Sequence, residues 1–393
     1  MKLVALIEKP GHVCYRYRVR PYQAVLAKHG IHVDVQPIAR SPWQRLRQFV
    51  RLKTAHGVLL QRKLFAPWEI FWLRRHSRVL IYDVDDAVFQ RDSFQQKPQQ
   101  SSYRWLRFAL TVRAADLILA GNTFLANQAK RCLQTSNSSP SDNPQRKAVG
   151  LTSVQGCEGG CIDSALYPAD PVRPRVFVVP TCVDPSCYPV ATHAENRSLV
   201  RLVWIGSGAT LPSLEMAADW LREAARGLPN LLLRVVCDRL PPVAGLPMEL
   251  WPWNEQSEAL ALATADIGLA WMPPDSWSQG KCGLKVLQYM AAGLPVVANP
   301  VGVHTAMVFE GKTGRLANNP VDWGQAIVEL AASPQLRRSL GEAARRFVQE
   351  HYSVQTWAPR IAELLAATLE AGASPYGQSR PEGLARRPAA SVS

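Results

Sequence analysis

Short apolar runs alternate with amphipathic stretches along the first half of the chain, the pattern of a parallel sheet flanked by helices. Strands are predicted at Lys2–Glu8, His32–Ile38, Gly57–Gln61, Arg78–Asp83 and Asp116–Ala120. A helical stretch runs from about Tyr15 to His29 and stops at Gly30. A second helix should open at Ser41-Pro42, where Ser suits the cap and Pro the first helical position. Asn122 reads as the cap of a helix ending near Leu133. From Gln134 to about Pro174 the periodicity vanishes into Ser, Pro, Gly and Asn, the composition of a long mobile loop. Order returns with a strand at Arg175–Pro180 and the turn Pro180–Asp184.

A second alternating series begins near Leu199. Its strands fit Arg201–Ile205, Asn230–Val236, Met248–Trp253, Ile267–Met272 and Pro295–Ala298. Its helices fit Leu211–Arg226, Gln256–Ala263, Leu284–Ala292, Trp323–Ala332 and Gln335–Glu350. Two consecutive doubly wound halves follow, an α/β architecture of two Rossmann-like domains. The boundaries this gives are 1–184 for the first domain, with 134–174 as an insertion, and 185–355 for the second. A last helix over 356–370 has no strand after it and must pack on existing structure. The tail, 371–393, has the composition of disorder.

A chain of 393 residues exceeds what one core usually serves, which agrees with two domains. No apolar run reaches the about 18 residues of a membrane span. The apolar run Leu3–Ile7 meets Glu8 and Lys9 at once, unlike a secretory leader, so the expected location is cytoplasmic. Charge changes the picture more. Met1–Lys130 holds 22 Lys and Arg against 8 Asp and Glu, which is the whole formal excess of +14. Such a field attracts phosphates, anionic lipid or nucleic acid, or belongs to a solvated basic surface. The eight cysteines are scattered, and Cys157, Cys161, Cys182 and Cys187 lack the paired spacing and histidines of a zinc site.

Doubly wound sheets bind ligands at the carboxyl ends of their strands, so the loops there carry the candidate chemistry. The strongest is Gly280-Lys281-Cys282-Gly283-Leu284-Lys285-Val286-Leu287-Gln288-Tyr289-Met290, followed by Ala291-Ala292-Gly293-Leu294-Pro295-Val296-Val297-Ala298. A glycine loop entering a helix N-terminus favours anions, and Lys281 and Lys285 can straddle the first turn toward one phosphate cluster. The alternative is an ordinary strand-loop-helix with solvated lysines. Gly206-Ser207-Gly208-Ala209-Thr210 offers amides and two hydroxyls to a phosphate, or is simply a tight turn. Trp253 ends a strand where a nucleotide base could stack, or it belongs to a core. Glu258 reads as a first-turn dipole partner.

The 280–298 segment resembles the C-terminal signature of retaining glycosyltransferase family 4, of the GT-B superfamily. Leu199–Glu370 is similar to that family throughout, and Met1–Asp184 more loosely. Pro180–Asp184 resembles the turn closing its N-terminal domain, and Gly302 with Gly311–Leu316 resembles its following loop and hairpin. The resemblance implies a GT-B enzyme with a C-terminal helix crossing back to the first domain. It implies hexosyl transfer from a nucleotide-sugar donor with retention, without metal, and with no cofactor beyond that substrate. In this reading Lys281, Lys285 and Asp85 are catalytic. Gly206, Ser207, Gly208, Trp253, Gly283, Leu284 and Gln288 bind the donor.

Two departures bear on activity. The family's first motif glutamate falls on Gly280 and its second on Gln288, which could still hold the ribose through an amide. The family's Arg and Lys after the first strand of this domain are missing from Gly206–Thr210, so Lys281 and Lys285 are read as supplying that charge. A bacterial subgroup with a Lys-Cys-Gly-x-Lys pattern matches best.

In the first half, Tyr82-Asp83-Val84-Asp85-Asp86 ends a strand on the cleft side. Carboxylates so close repel one another. They either position acceptor hydroxyls or pair with Arg16, Arg18 or Arg20. In the other major glycosyltransferase fold an Asp-x-Asp would hold Mn²⁺, a use the GT-B signature argues against. Arg16, Arg18, Asp83 and Asp86 are the acceptor-side candidates, and no histidine is read near this loop. Ser41–Lys53 is a basic amphipathic stretch that either buries its apolar side on the sheet or lies on an anionic membrane. The expected acceptor is a glycan, lipid-linked or anionic, at the inner face of a cell membrane. Nucleic acid is not expected, since charge alone suggests it. A noncatalytic nucleotide-sugar binder and a nucleotide-sugar epimerase are the alternatives.

Overall fold

The computed structural model describes residues 1–134, 175–193, 199–226 and 228–373. Most of the 134–174 insertion, with Cys157 and Cys161, and the tail beyond residue 373 lie outside the described residues. In the first domain the strands are β1 (Lys2–Ile7), β2 (His32–Pro37), β3 (Gly57–Gln61), β4 (Leu80–Val84), β5 (Leu117–Ala120) and β6 (Arg175–Val178). The helices are α1 (Val13–Arg18), α2 (Gln23–Lys28), α3 (Pro42–Arg51), α4 (Pro67–Arg75), α5 (Ser102–Ala114) and α6 (Thr123–Gln134). The second domain has β7 (Val200–Ile205), β8 (Leu231–Cys237), β9 (Met248–Pro252), β10 (Ile267–Ala270), β11 (Val296–Ala298) and β12 (Gly314–Leu316). Its helices are α7 (Pro212–Met216), α8 (Ala218–Arg226), α9 (Glu258–Ala263), α10 (Leu284–Ala291), α11 (His304–Met307), α12 (Pro320–Ala332) and α13 (Pro334–His351); α14 (Val354–Ala373) follows.

Each domain is built on one six-stranded sheet, ordered β2-β1-β3-β4-β5-β6 and β12-β11-β10-β7-β8-β9. Every strand pair is parallel. Continuous apolar runs suit parallel strands covered on both faces, and β3, β4 and β5 are buried along their full length. Strand order reverses between β1 and β3 and between β10 and β7, so each sheet has one crevice at its carboxyl edge. The loops of interest sit there.

Local chemistry explains the helix boundaries. Ser41 caps α3 by accepting from the Gln44 amide (3.2 Å) while the Gln44 side chain accepts from the Ser41 amide (3.4 Å). The helix expected from Tyr15 to His29 is instead α1, a 3₁₀ turn at Arg20–Tyr22 and α2, because Pro21 removes an amide and disfavours helix at the residue before it. Gly311–Leu316 is not a hairpin: the segment turns at Gly311 (φ 68°) and β12 then pairs parallel to β11.

The chain crosses back at the end. One face of the first sheet is covered by α3 to α6. On the other, Trp357, Ile361, Leu365 and Leu369 of α14 join Leu3, Ala5, Ile7, Tyr22 and Ile31 in one core. The last described helix therefore completes the first domain.

Candidate functional site

The carboxyl edges of the two sheets meet along two seams. In the first, the loops after β4 and β5 press on the loop between β10 and α10. The Asn122 amide nitrogen donates to the carbonyls of Gln279 (3.1 Å) and Lys281 (2.9 Å), while its oxygen caps α6 through the Leu125 amide (2.9 Å). The Cys282 thiol donates to the Asp85 carbonyl at 3.2 Å. Gly280 is buried there because a Cβ at this position would stand 2.6 Å from Ala87 Cβ and 2.8 Å from its amide nitrogen. The position that holds a glutamate in the resembled family is thus filled by the opposite domain. Gly280→Glu is accordingly expected to destabilise the protein by about 1–3 kcal/mol, as overpacking does, and not to create a working carboxylate. Urea denaturation beside a transfer assay reads both.

The second seam centres on Glu258, at the start of α9. One carboxylate oxygen accepts from Arg16 (2.6 Å), Tyr17 (3.0 Å) and the Gln288 amide (3.3 Å), and the other from the Trp253 indole (2.8 Å). Gln288 also donates to Tyr17 (3.1 Å) and Tyr188 (3.4 Å). Two sequence expectations change here. Gln288 is buried and its amide nitrogen is committed to this network, which leaves only its amide oxygen to meet a ribose. Arg16, with Arg20, pairs with Glu255 and Glu258 of the second domain and does not line an acceptor surface.

The acidic loop is divided by its partners. Asp83 is buried in a two-pronged pair with Arg18, whose guanidinium also donates to the Val179 carbonyl (2.9 Å). Both are interior groups and cannot serve as acceptor-side contacts. Asp86 accepts from Arg62 (2.6 Å) and, across the domains, from Lys281 (2.9 Å). Asp85 differs, since its Oδ1 is buried without a hydrogen-bond partner. Burial would raise its pKa, but Arg62 and then Arg18 hold it below the usual carboxylate range. Arg62 takes φ 59° to reach between Cys14 and Asp86, a conformation a branched-free side chain tolerates only where its contacts repay the strain. His12 lies in the β1–α1 loop of the same crevice. Its Nδ1 accepts from the Cys14 amide (3.2 Å), and burial with the Arg62 charge pushes its pKa down. A neutral ring bonded in this way carries its proton on Nε2.

On the opposite wall Lys285 stands alone. Lys281, expected to share its phosphate, is instead on Asp86 and over the Trp277 ring (3.5 Å). Lys285 lies 4.4 Å from the centre of the Trp204 ring and has no carboxylate or hydrogen-bond partner among the described residues. Burial, and then the Lys281 charge, pushes its pKa down to about 7. The Trp204 ring also packs against Gly206, where a side chain would collide with it, so the lysine and the glycine turn share one corner. That turn is braced internally: Thr210 Oγ1 accepts from the Ser207 amide (3.0 Å), and Ser207 remains exposed. Gly208 sits against Asp238 and Arg239. Gly283, at φ 65°, has Met307 and Val303 where a side chain would go, and it launches α10 at Leu284. Trp253 is 46% exposed although its indole nitrogen is held by Glu258, a fixed open aromatic face.

Residues 249–333, which include Trp253, Glu258 and Lys285, match the family described as Glycosyl transferases group 1. The chain is 33% identical over 111 residues to the D-inositol 3-phosphate glycosyltransferase of Pseudarthrobacter chlorophenolicus, covering 28% of this chain and 23% of that protein. It is 34% identical over 91 residues, 23% of this chain and 24% of the other, to a GDP-mannose-dependent alpha-(1-6)-phosphatidylinositol monomannoside mannosyltransferase of Mycolicibacterium smegmatis. It spans about a quarter of the length of these curated relatives. Solved structures match over nearly everything. Sucrose-phosphate synthase from Thermosynechococcus elongatus superposes with TM-score 0.67 at 15% identity, over 94% of this chain and 100% of that one. Anabaena HepE, in complex with UDP-glucose, gives 0.62 at 15%, over 93% and 100%. The fold is GT-B.

Within this GT-B frame, several site residues escaped the sequence reading. His12 follows the Pro10-Gly11 turn after β1, which was its signal. Arg62 stands directly after β3 and was equally accessible to a search of strand ends. Glu258 is legible in the sequence only as a first-turn dipole partner and Tyr17 not at all, because their meeting depends on how the two domains close. Among the described residues no group of three or more His, Cys, Asp or Glu is placed to hold a metal ion.

Proposed function

We propose that this GT-B protein transfers a hexosyl group from a nucleoside-diphosphate sugar to a hydroxyl of a glycan, lipid-linked or anionic acceptor, with retention and without a metal. The observation that carries the reading is Lys285, an unpaired ammonium beside the glycine turn at the carboxyl edge of the second sheet. A desolvated cation without a counter-ion is costly, and a diphosphate is the ligand that relieves the cost. The free face of Trp253, steadied by Glu258, suits the nucleobase. In the transfer the sugar C1–O bond to the diphosphate breaks and a bond from the acceptor oxygen to C1 forms. Lys285, with Gly206, Ser207, Gly208 and the amides at Gly283 and Leu284, meets the charge that develops on the departing phosphate. Asp85, half-buried and the one carboxylate of its loop with an oxygen not held by a hydrogen bond, is assigned to the acceptor side, while Lys281 and Asp86 close the floor between the domains. The proton lost by the acceptor leaves with the diphosphate.

The group 1 match and the relatives' names support the activity. A binding protein without turnover is the second reading, favoured by the burial of Gly280 against Ala87 and by the committed Gln288 amide. Thermal unfolding with a panel of nucleoside diphosphates and their sugars tests the first step. One nucleotide class should stabilise the protein, and Trp253→Ala should remove most of that shift by weakening binding about tenfold or more. No shift from any nucleotide would reject the donor site. A shift without transfer to any acceptor would favour the second reading.

A further inference from the structure

Away from the cleft, three neighbouring helices carry a surface that the core does not explain. α3, α4 and α5 lie side by side over one face of the first sheet. Phe49, Ile70, Leu73 and Phe108 point inward to the core, and Arg45 locks α3 to α4 through Glu69 at 2.6 Å. Their outer side is aromatic as well. In α4, Trp68, Phe71 and Trp72 recur at the spacing of a single helical stripe and are 45%, 64% and 39% exposed. Trp43 of α3 is 77% exposed, and Tyr103 and Leu106 of α5 extend the patch. Monomeric proteins seldom leave so many large apolar side chains in water on adjoining helices.

The charge around these rings has one sign. The three helices contain eight arginines and a single acid. Arg45, Arg74, Arg104, Arg107 and Arg113 are held by Glu69, Asp116 or backbone carbonyls, which leaves Arg47, Arg51 and Arg75 exposed to solvent, while Glu69 is buried and already paired. We propose that this face docks the protein onto an anionic phospholipid bilayer. Indole and phenyl groups settle at the headgroup boundary, and arginines around them meet lipid phosphates. A second copy is a poorer occupant, since a two-fold contact would set arginines against arginines with no exposed acid on these helices to pair them. Among the described residues no helix is long and apolar enough to cross a membrane, so attachment would be peripheral.

The placement has a consequence for the acceptor. α3 and α4 begin after the carboxyl ends of β2 and β3, so Trp43 and Trp68 stand toward the same sheet edge as Asp85. A bilayer held there would bring a lipid-linked hydroxyl to the cleft. That consequence rests on the proposed function, whereas the docking does not.

Co-sedimentation of the full chain with vesicles tests it directly. Binding should be strong on equal parts phosphatidylcholine and phosphatidylglycerol and about tenfold or more weaker on phosphatidylcholine alone. The triple change Trp68→Ser, Phe71→Ser and Trp72→Ser should weaken binding to the mixed vesicles by about tenfold or more. Arg47→Gln with Arg51→Gln and Arg75→Gln should erase the preference for the anionic lipid. Arg47, Arg51 and Arg75 are exposed, so the arginine variant should melt like the wild type, whereas the triple variant loses the stacking of Trp72 on His76 (5.2 Å) and should melt somewhat lower with an unchanged circular dichroism spectrum before melting. Nucleotide-induced stabilisation should also persist in both variants, which separates this test from that of the donor site. Equal binding by wild type and triple variant, or no vesicle binding at all, would overturn the proposal. A wild-type dimer that the triple variant dissociates, without a change in vesicle binding, would assign the face to self-association instead.

Discussion

Lys285→Ala should lower kcat/KM for sugar transfer by about 10²–10³-fold, the loss typical of a group that meets developing charge. The side chain makes no ion pair or hydrogen bond, so its removal leaves no orphaned partner and the fold should be kept. Its titration adds a second readout. With the cleft empty its pKa is pushed down to about 7, so the free protein loses the ammonium as pH rises through that value. A bound diphosphate favours the charged form and raises the pKa. Nucleoside-diphosphate affinity should therefore fall above pH about 7, by at most about tenfold per pH unit, and Lys285→Ala should flatten the dependence. Calorimetric titration from pH 7 to pH 9 measures it; an equal slope in the variant would remove Lys285 from the site. Stability carries the opposite sign. The unfolded lysine keeps its proton to a higher pH than the folded one, so this group makes stability rise between about pH 7 and its ordinary value.

The largest structural loss is expected at the Arg18–Asp83 pair. Arg18→Met should cost about 3–5 kcal/mol, because it strands the Asp83 carboxylate in the interior. The guanidinium does more than neutralise that charge. It joins α1 to the end of β4 and, through the Val179 carbonyl, to the chain leaving β6. Asp83→Asn should cost less, since the amide oxygen still accepts from Arg18. The double variant Arg18→Met with Asp83→Leu should recover part of the loss by removing both charges. Urea denaturation of the three variants tests this. Equal losses in the single and double variants would mean that the bond to Val179, and not the ion pair, dominates.

What the sequence revealed of this molecule follows the range of the forces involved. The parallel strands were legible because continuous apolar runs report burial on both faces, and the caps at Ser41 and Asn122 because capping is settled within four residues. α4 was not read as a helix. Its exposed Trp68, Phe71 and Trp72 alternate with its buried Ile70 and Leu73, so no polar face marks the period. The acidic loop was visible as three clustered carboxylates at a strand end. Which of them is spent on structure was not, because Arg18, Arg62 and Lys281 reach it from 65, 24 and 195 residues away. The same holds for Lys281 and Lys285, alike in sequence and separated by a partner from the other domain. Gly280 shows the converse. A missing glutamate read as a loss in the motif is, in three dimensions, a fit to Ala87.

The return of α14 onto the first sheet sets an order for biosynthesis. The residues of β1 cannot complete their core until those of α14 arrive. Leu3 and Ile7 wait for Ile361 and Leu369, about 20–70 s of translation at roughly 5–20 residues per second. During that interval the second domain has its own sheet to close around, while the first carries an open apolar face. Transiently exposed apolar surface of this kind is the feature that makes nascent chains prone to aggregate. A chain that lacks α14 leaves that face of the first sheet uncovered.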